Sequence, residues 1–468
     1  MEENFDFLDP ETVSLIRRYE KMLLNEEHFF FDVDEFEEII EYYLVLNSIK
    51  EAKNCIQLSL KQHPDNLNLL LKKAQFYVAS ENSAKALKIL SDLDQMEFSD
   101  HEIHRMKGNL YSQLDKSEKA IEEYSMAIHD TDDIDEIFSS IAFEYENLGK
   151  YNRAIEYLTY ALEENPENES CLYEISFCFE VSQQTEKAVD FLKNFLEEYP
   201  FSKAGWFNIG IAYSNLELFE KAIEAYEFAI AIDETFASAY FNKANCYANL
   251  DKYDKAIETY LESSFHEEPE PLTYYYIAQC YEKIENFEHA IDFYKRAIDI
   301  DPEFADAWIG IGMAYDALDK FQIALSYVDK AIKIAPTVSD YWFIQGDLQI
   351  KLSRIKDGIM SYRKVIELEP EDPEIWLELA IVHSGNLEFE RAFETLHEGL
   401  KWHEKNPDFY FGMSNYLLKA GQSQDACAML EKALEMDYEG HRRMLKTFPD
   451  LEGNPTISEI IEGYRIKN

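Results

Sequence analysis

Little in this chain could cross a membrane, hold a metal or attract nucleic acid. No window of about eighteen apolar residues exists, so no helix can span a bilayer. Met1 to Asp9 carry four carboxylates and no basic residue, unlike the basic start and apolar core of a secretory signal. The six cysteines, Cys55, Cys171, Cys178, Cys246, Cys280 and Cys427, form no CxxC pair, which is consistent with reduced thiols. Together these features predict a cytoplasmic protein. Positive charge is scarce as well: 44 basic residues against 92 acidic ones give a net charge of −48. Such a charge repels nucleic acid and anionic lipid, and either solubility or a choice of basic partners accounts for it.

Catalytic chemistry is equally thin. His101 and His104 stand at helical i, i+3 spacing, but no third metal ligand accompanies them. Gly310-Ile-Gly312-Met-Ala-Tyr315 opens like a dinucleotide loop, then lacks its third glycine and follows no strand. No nucleophile–histidine arrangement has local support for catalysis. The chain is therefore read as a non-enzyme with no cofactor and no metal.

What the chain does have is a beat of thirty-four residues. Ala52, Ala86, Ala120, Ala154, Ala188, Ala222, Ala256, Ala290 and Ala324 keep it, Gly358 takes the tenth place, and Ala392 and Ala426 complete it. Twelve residues before each comes a mostly small series that includes Ala74, Gly108, Gly210, Gly312 and Gly346. Three residues after that runs an aromatic series from Tyr43 to Tyr315, lapsing at Gln349, His383 and Leu417. Prolines such as Pro64, Pro166, Pro200, Pro302, Pro336 and Pro370 close several units. Self-similarity at this period is the mark of a solenoid. Within one unit, Trp206, Ile209, Gly210 and Tyr213 share one face, and Ala222, Ile223, Tyr226, Ala229 and Ile230 another. That spacing predicts two amphipathic helices joined by a turn around Glu217.

The pattern Trp206, Ile209, Gly210, Tyr213, Ala222, Tyr226, Ala229 resembles the tetratricopeptide repeat (TPR) family, of the kind with many repeats found in bacteria. Glu234 stands where the family usually has proline, and Pro302 and Pro336 restore it in later units. The resemblance implies an all-α fold, a right-handed α-solenoid of about twelve helix pairs. Residues 33–440 would form the repeats in one superhelix, 1–32 an N-terminal capping helix region and 441–468 a C-terminal capping helix. Asp9-Pro10-Glu11 and Asn454-Pro455 read as the starts of those cap helices. Phe29, Phe30 and Phe31 are expected to pack between the first cap and the first repeat.

The resemblance further implies a concave groove lined by the second, fifth, sixth, ninth, twelfth and thirteenth positions of each first helix. At the fifth position, Tyr173, Phe207, Phe241, Tyr275, Ile309, Phe343, Leu377 and Phe411 form an apolar stripe. These side chains either anchor a ligand or pack against the adjacent helix, and the sequence leaves both open. Over the six positions, seventeen residues are acidic and five basic, yet repeats 6 and 7 carry neither sign. They offer Phe207, Asn208, Ile211 and Asn215, then Phe241, Asn242, Asn245 and Asn249, whose amides can bond an extended backbone. The expected peptide site therefore comprises Tyr173, Phe207, Asn208, Ile211, Asn215, Phe241, Asn242, Asn245, Asn249 and Tyr275. The expected partner is a protein or peptide, apolar with basic flanks, bound extended or helical, and homo-oligomerisation is not indicated. A carboxylate clamp is disfavoured because Glu174 falls where a cation would be needed. The functional expectation is a protein-interaction scaffold or adaptor, with a regulatory or recruiting subunit of an enzyme complex as the alternative. A nucleic-acid reader needs a basic groove and is disfavoured by the charge.

Overall fold

The apolar spacing of three and four residues does produce helices. The computed structural model describes residues 10–25, 29–96, 101–128, 133–268, 270–448, 451 and 454–465. Among these are twenty-seven helices and no strand, running from Pro10–Leu24 to Pro455–Arg465. The fold is an all-α repeat solenoid. Two compact units divide the chain, Met1–Glu234 and Thr235–Asn468. In the first, helix Lys203–Asn215 pairs with Phe219–Ile232; in the second, Ala305–Ala317 pairs with Phe321–Ile334.

Each pair turns through the same backbone device. Asn47, Glu81, Asp115, Gly149, Gln183, Glu217, Asp251, Glu285, Asp319, Ser353, Leu387 and Gly421 all have positive φ, at the thirty-four-residue interval. The turn at Glu217 shows why. Its N–H donates to the Ser214 carbonyl at 2.9 Å, and the Leu218 N–H donates to the Tyr213 carbonyl at 2.9 Å. These two bonds satisfy carbonyls orphaned by the end of the helix, the Schellman closure. They offset the roughly 1–2 kcal/mol that a left-handed conformation costs a side-chain-bearing residue. Gly421 has φ 81°, and a Cβ there would meet nothing within 4 Å. Gly421→Val should therefore cost about 1–2 kcal/mol through the backbone alone, read as a lower urea midpoint. An unchanged midpoint would mean that the turn is not held in this conformation.

The small-residue series is buried because helices cross there: Ala52, Ala86, Ala120, Ala154 and Ala222 are wholly inaccessible. The tenth place shows why glycine interrupts it. A Cβ on Gly358 would lie 2.5 Å from Ile350 Cδ1 and 3.2 Å from the Gly346 carbonyl oxygen. Proline and tryptophan also act together across the turns. The indole N–H groups of Trp206, Trp308, Trp342 and Trp376 donate to the carbonyls of Pro200, Pro302, Pro336 and Pro370 at 2.8–3.0 Å.

At the N-terminal end, helix Pro10–Leu24 brings Tyr19 against Phe31 and Tyr43, at centroid distances of 5.8 and 6.2 Å. The expected N-cap Asp9 lies outside the described residues. Of the three phenylalanines only Phe31 is buried, while Phe30 is exposed. At the other end two helices close the second unit, His441–Thr447 and Pro455–Arg465, burying Met444 and Ile457 in one cluster with Phe411 and Tyr416. Asn454 caps the latter, its Oδ1 accepting from the Thr456 N–H at 3.1 Å.

Candidate functional site

In the first unit the fifth-position aromatics face one another more than they face solvent. Phe207 is 7 % exposed and packs between Tyr173, edge-on at 6.1 Å, and Tyr226 at 5.7 Å. Burial pushes the Tyr173 phenol up. Asn208 corrects the sequence reading: it is 1 % exposed, and its Nδ2 donates to the Ala204 carbonyl at 2.8 Å. That amide serves its own helix. Ile211 is partly exposed and Asn215 exposed.

The second unit holds the other half of the expected patch. Phe241 is partly exposed and rests on the rings of Tyr260 and Tyr276, at 5.5 and 5.9 Å. Asn242 and Asn249 spend an Nδ2 hydrogen on the carbonyls of Ser238 and Asn245, each at 2.9 Å. Asn245 accepts the Tyr260 hydroxyl on Oδ1. Tyr275 lies 5.1 Å from Phe304, and burial beside Asp306 and Glu282 pushes its phenol up to about 12. Phe241 and Asn242 line a cleft of about 220 Å³ together with Ser238, Leu272 and Thr273. Glu267, Glu268 and Glu270 stand in its wall and favour a cation there.

The sequence reading missed the most exposed groove aromatics. Phe143 on helix Ile134–Asn147 and Phe177 on helix Glu169–Val181 are 53 % and 52 % exposed. Both occupy the ninth position, as does Ile211, and Val181 at the thirteenth is exposed too. Reading the ninth position along the repeats, rather than the fifth alone, would have found them.

Carboxylates accompany this stripe. Burial pushes the Glu146 and Glu174 carboxyls up from their usual range, and Glu146 adds to the push on Glu174. Cys178 Sγ donates to Glu146 Oε1 at 3.3 Å and works in the opposite direction. A carboxyl raised on folding binds its proton more tightly in the folded state. Its favourable contribution is present at low pH and is lost as pH rises through the folded value. Melting temperature should therefore rise as pH falls from about 7 to about 5, and Glu146→Gln with Glu174→Gln should flatten that rise. A pH dependence left unchanged by the two substitutions would contradict the assignment.

Of the two histidines, His104 is engaged by carboxylates. His104 Nδ1 lies 2.8 Å from Glu123, beside the buried Lys107, whose Nζ is 2.5 Å from Asp94. Among the described residues, no group of three or more His, Cys, Asp or Glu could hold a metal. All six cysteines are free, and burial pushes the Cys280 thiol up to about 11. No helix among the described residues is long and apolar enough to cross a membrane.

Family models described as tetratricopeptide repeat match residues 136–168, 170–202, 204–236, 225–258, 271–304, 305–338 and 339–372. No curated protein matches the chain. Among solved structures, the C-terminal part of a TPR repeat-containing protein from Cytophaga hutchinsonii is 19% identical, with a TM-score of 0.45, covering 52% of this chain and 99% of that one. A tetratricopeptide repeat protein from Parabacteroides merdae is 15% identical, with a TM-score of 0.39, covering 53% and 98%. YrrB, described as a TPR protein with an unusual peptide-binding site, is 19% identical, with a TM-score of 0.34, covering 39% and 94%.

Proposed function

The chain is a tetratricopeptide repeat protein, and from that premise we propose that it is a non-catalytic scaffold or adaptor gripping a segment of another protein in its groove. The twelve repeats would occupy residues 33–440, between a cap region at 1–32 and a second cap at 441–468. The observation that carries the reading is the pair of half-exposed rings, Phe143 and Phe177, at one helical position of successive repeats. Apolar rings left in water on a rigid surface are unfavourable without a partner and supply large contact area with one. Ile211 continues the stripe in the first unit, and Phe241, Asn242, Asn245, Asn249 and Tyr275 supply the groove of the second. Glu146, Glu174 and Glu180 flank the rings, so the bound segment should be apolar with basic flanks.

The test uses a partner recovered with the full chain. Phe143→Ala combined with Phe177→Ala should weaken its binding by about 2 kcal/mol or more, the scale of an interface hot spot. Glu174→Gln with Glu180→Gln should act mainly on association rate and its salt dependence. A partner that binds the double alanine variant as tightly as the parent would remove the groove from consideration.

A further inference from the structure

We propose that the first unit carries a second docking surface, outside the groove, that fits a cationic segment with one apolar or aromatic tip. It is the edge where the turn after helix Tyr151–Glu164 meets the turn after helix Thr185–Glu198. A cleft of about 820 Å³ opens there, with Pro166, Tyr199, Pro200, Phe201 and Ile232 as its apolar surface. Phe201 is 84 % exposed, among the most exposed large apolar side chains described. Its backbone is nevertheless held in place. The Trp206 indole donates to the Pro200 carbonyl at 2.8 Å, and the Ser202 N–H donates to the Tyr199 carbonyl at 3.1 Å. A ring presented to water on a fixed turn favours a partner that covers it, because its ordering cost is already met.

Charge decides the partner's chemistry. Glu167, Glu169 and Glu198 line the same cleft, and its one cation, Lys203, is already 3.1 Å from Asp233. An apolar floor with three carboxylates and an engaged lysine favours arginine or lysine beside an apolar side chain. It repels an acidic segment, as does the chain's net charge of −48.

Trp206 makes the proposal testable in the full-length chain, since its indole N–H is bonded to the residue before Phe201. The probe is the peptide acetyl-Arg-Arg-Leu-Arg-amide, with acetyl-Glu-Glu-Leu-Glu-amide as control, titrated into nitrogen-15-labelled protein. The cationic peptide should shift the Trp206 indole resonance while leaving those of Trp308, Trp342 and Trp376 in place. Phe201→Ser, at an exposed position, should weaken that titration roughly tenfold or more. Glu167→Gln with Glu198→Gln should weaken it and remove most of its salt dependence. A Trp206 resonance that stays still, that moves equally with the acidic peptide, or that moves unchanged in Phe201→Ser would overturn the proposal. The groove is read separately through Phe143 and Phe177, so either site can fail without the other.

Discussion

Phe207→Ala is expected to destabilise the chain by about 3–5 kcal/mol, the usual cost of deleting a buried phenylalanine ring. The ring is almost wholly buried, packed between Tyr173 and Tyr226. Repeats depend chiefly on their neighbours, so the loss should be local. Hydrogen exchange should accelerate in helix Lys203–Asn215 and its partner Phe219–Ile232 while the terminal helix Pro10–Leu24 keeps its protection. Phe177→Ala is the contrast: half-exposed, it should change stability by no more than about 0.5 kcal/mol. Equal losses from the two substitutions would show that the ninth-position ring is also a core residue.

Gly210→Leu should cost about 3 kcal/mol or more by overpacking, even after the roughly 1 kcal/mol that replacing a helical glycine returns. A Cβ at Gly210 would sit 2.5 Å from Tyr226 Cε1 and 2.8 Å from Cδ1, closer than nonbonded carbons approach. Tyr226 is buried and its ring packs against Phe207 at 5.7 Å, so it must shift to admit the new side chain. Elsewhere the chain pairs Ala74 with Leu90 and Ala142 with Leu158 at the equivalent places. The double variant Gly210→Ala, Tyr226→Leu copies that pairing and should recover most of the stability lost in Gly210→Ala alone. Urea unfolding of Gly210→Ala, Tyr226→Leu and the double variant checks this, and strictly additive losses would show that the two positions do not touch.

The thirty-four-residue beat by itself determined the helices, their pairing and the buried alanine series. Each of these depends on which side chains recur on a helix face, and recurrence is written in the chain. The turn at Glu217 was legible as a turn, but its left-handed residue was not. That place is held by Asn, Glu, Asp, Gln, Ser and Leu as well as by Gly149 and Gly421, so no glycine signal marks it. The two closing hydrogen bonds hold the conformation, and they join main-chain groups at the end of the first helix, where many side chains are compatible with them. The groove was legible only as a list of positions. Tertiary packing decided that Phe207 and Asn208 sit in the wall and that Phe143 and Phe177 stand in water. Tyr173 of the preceding first helix and Tyr226 of the paired second helix cover Phe207, whereas the ninth-position rings stay half-exposed. The turn-edge cleft under Phe201 was likewise beyond the sequence, because it is made by two loops thirty-four residues apart whose meeting depends on how the helix pairs stack.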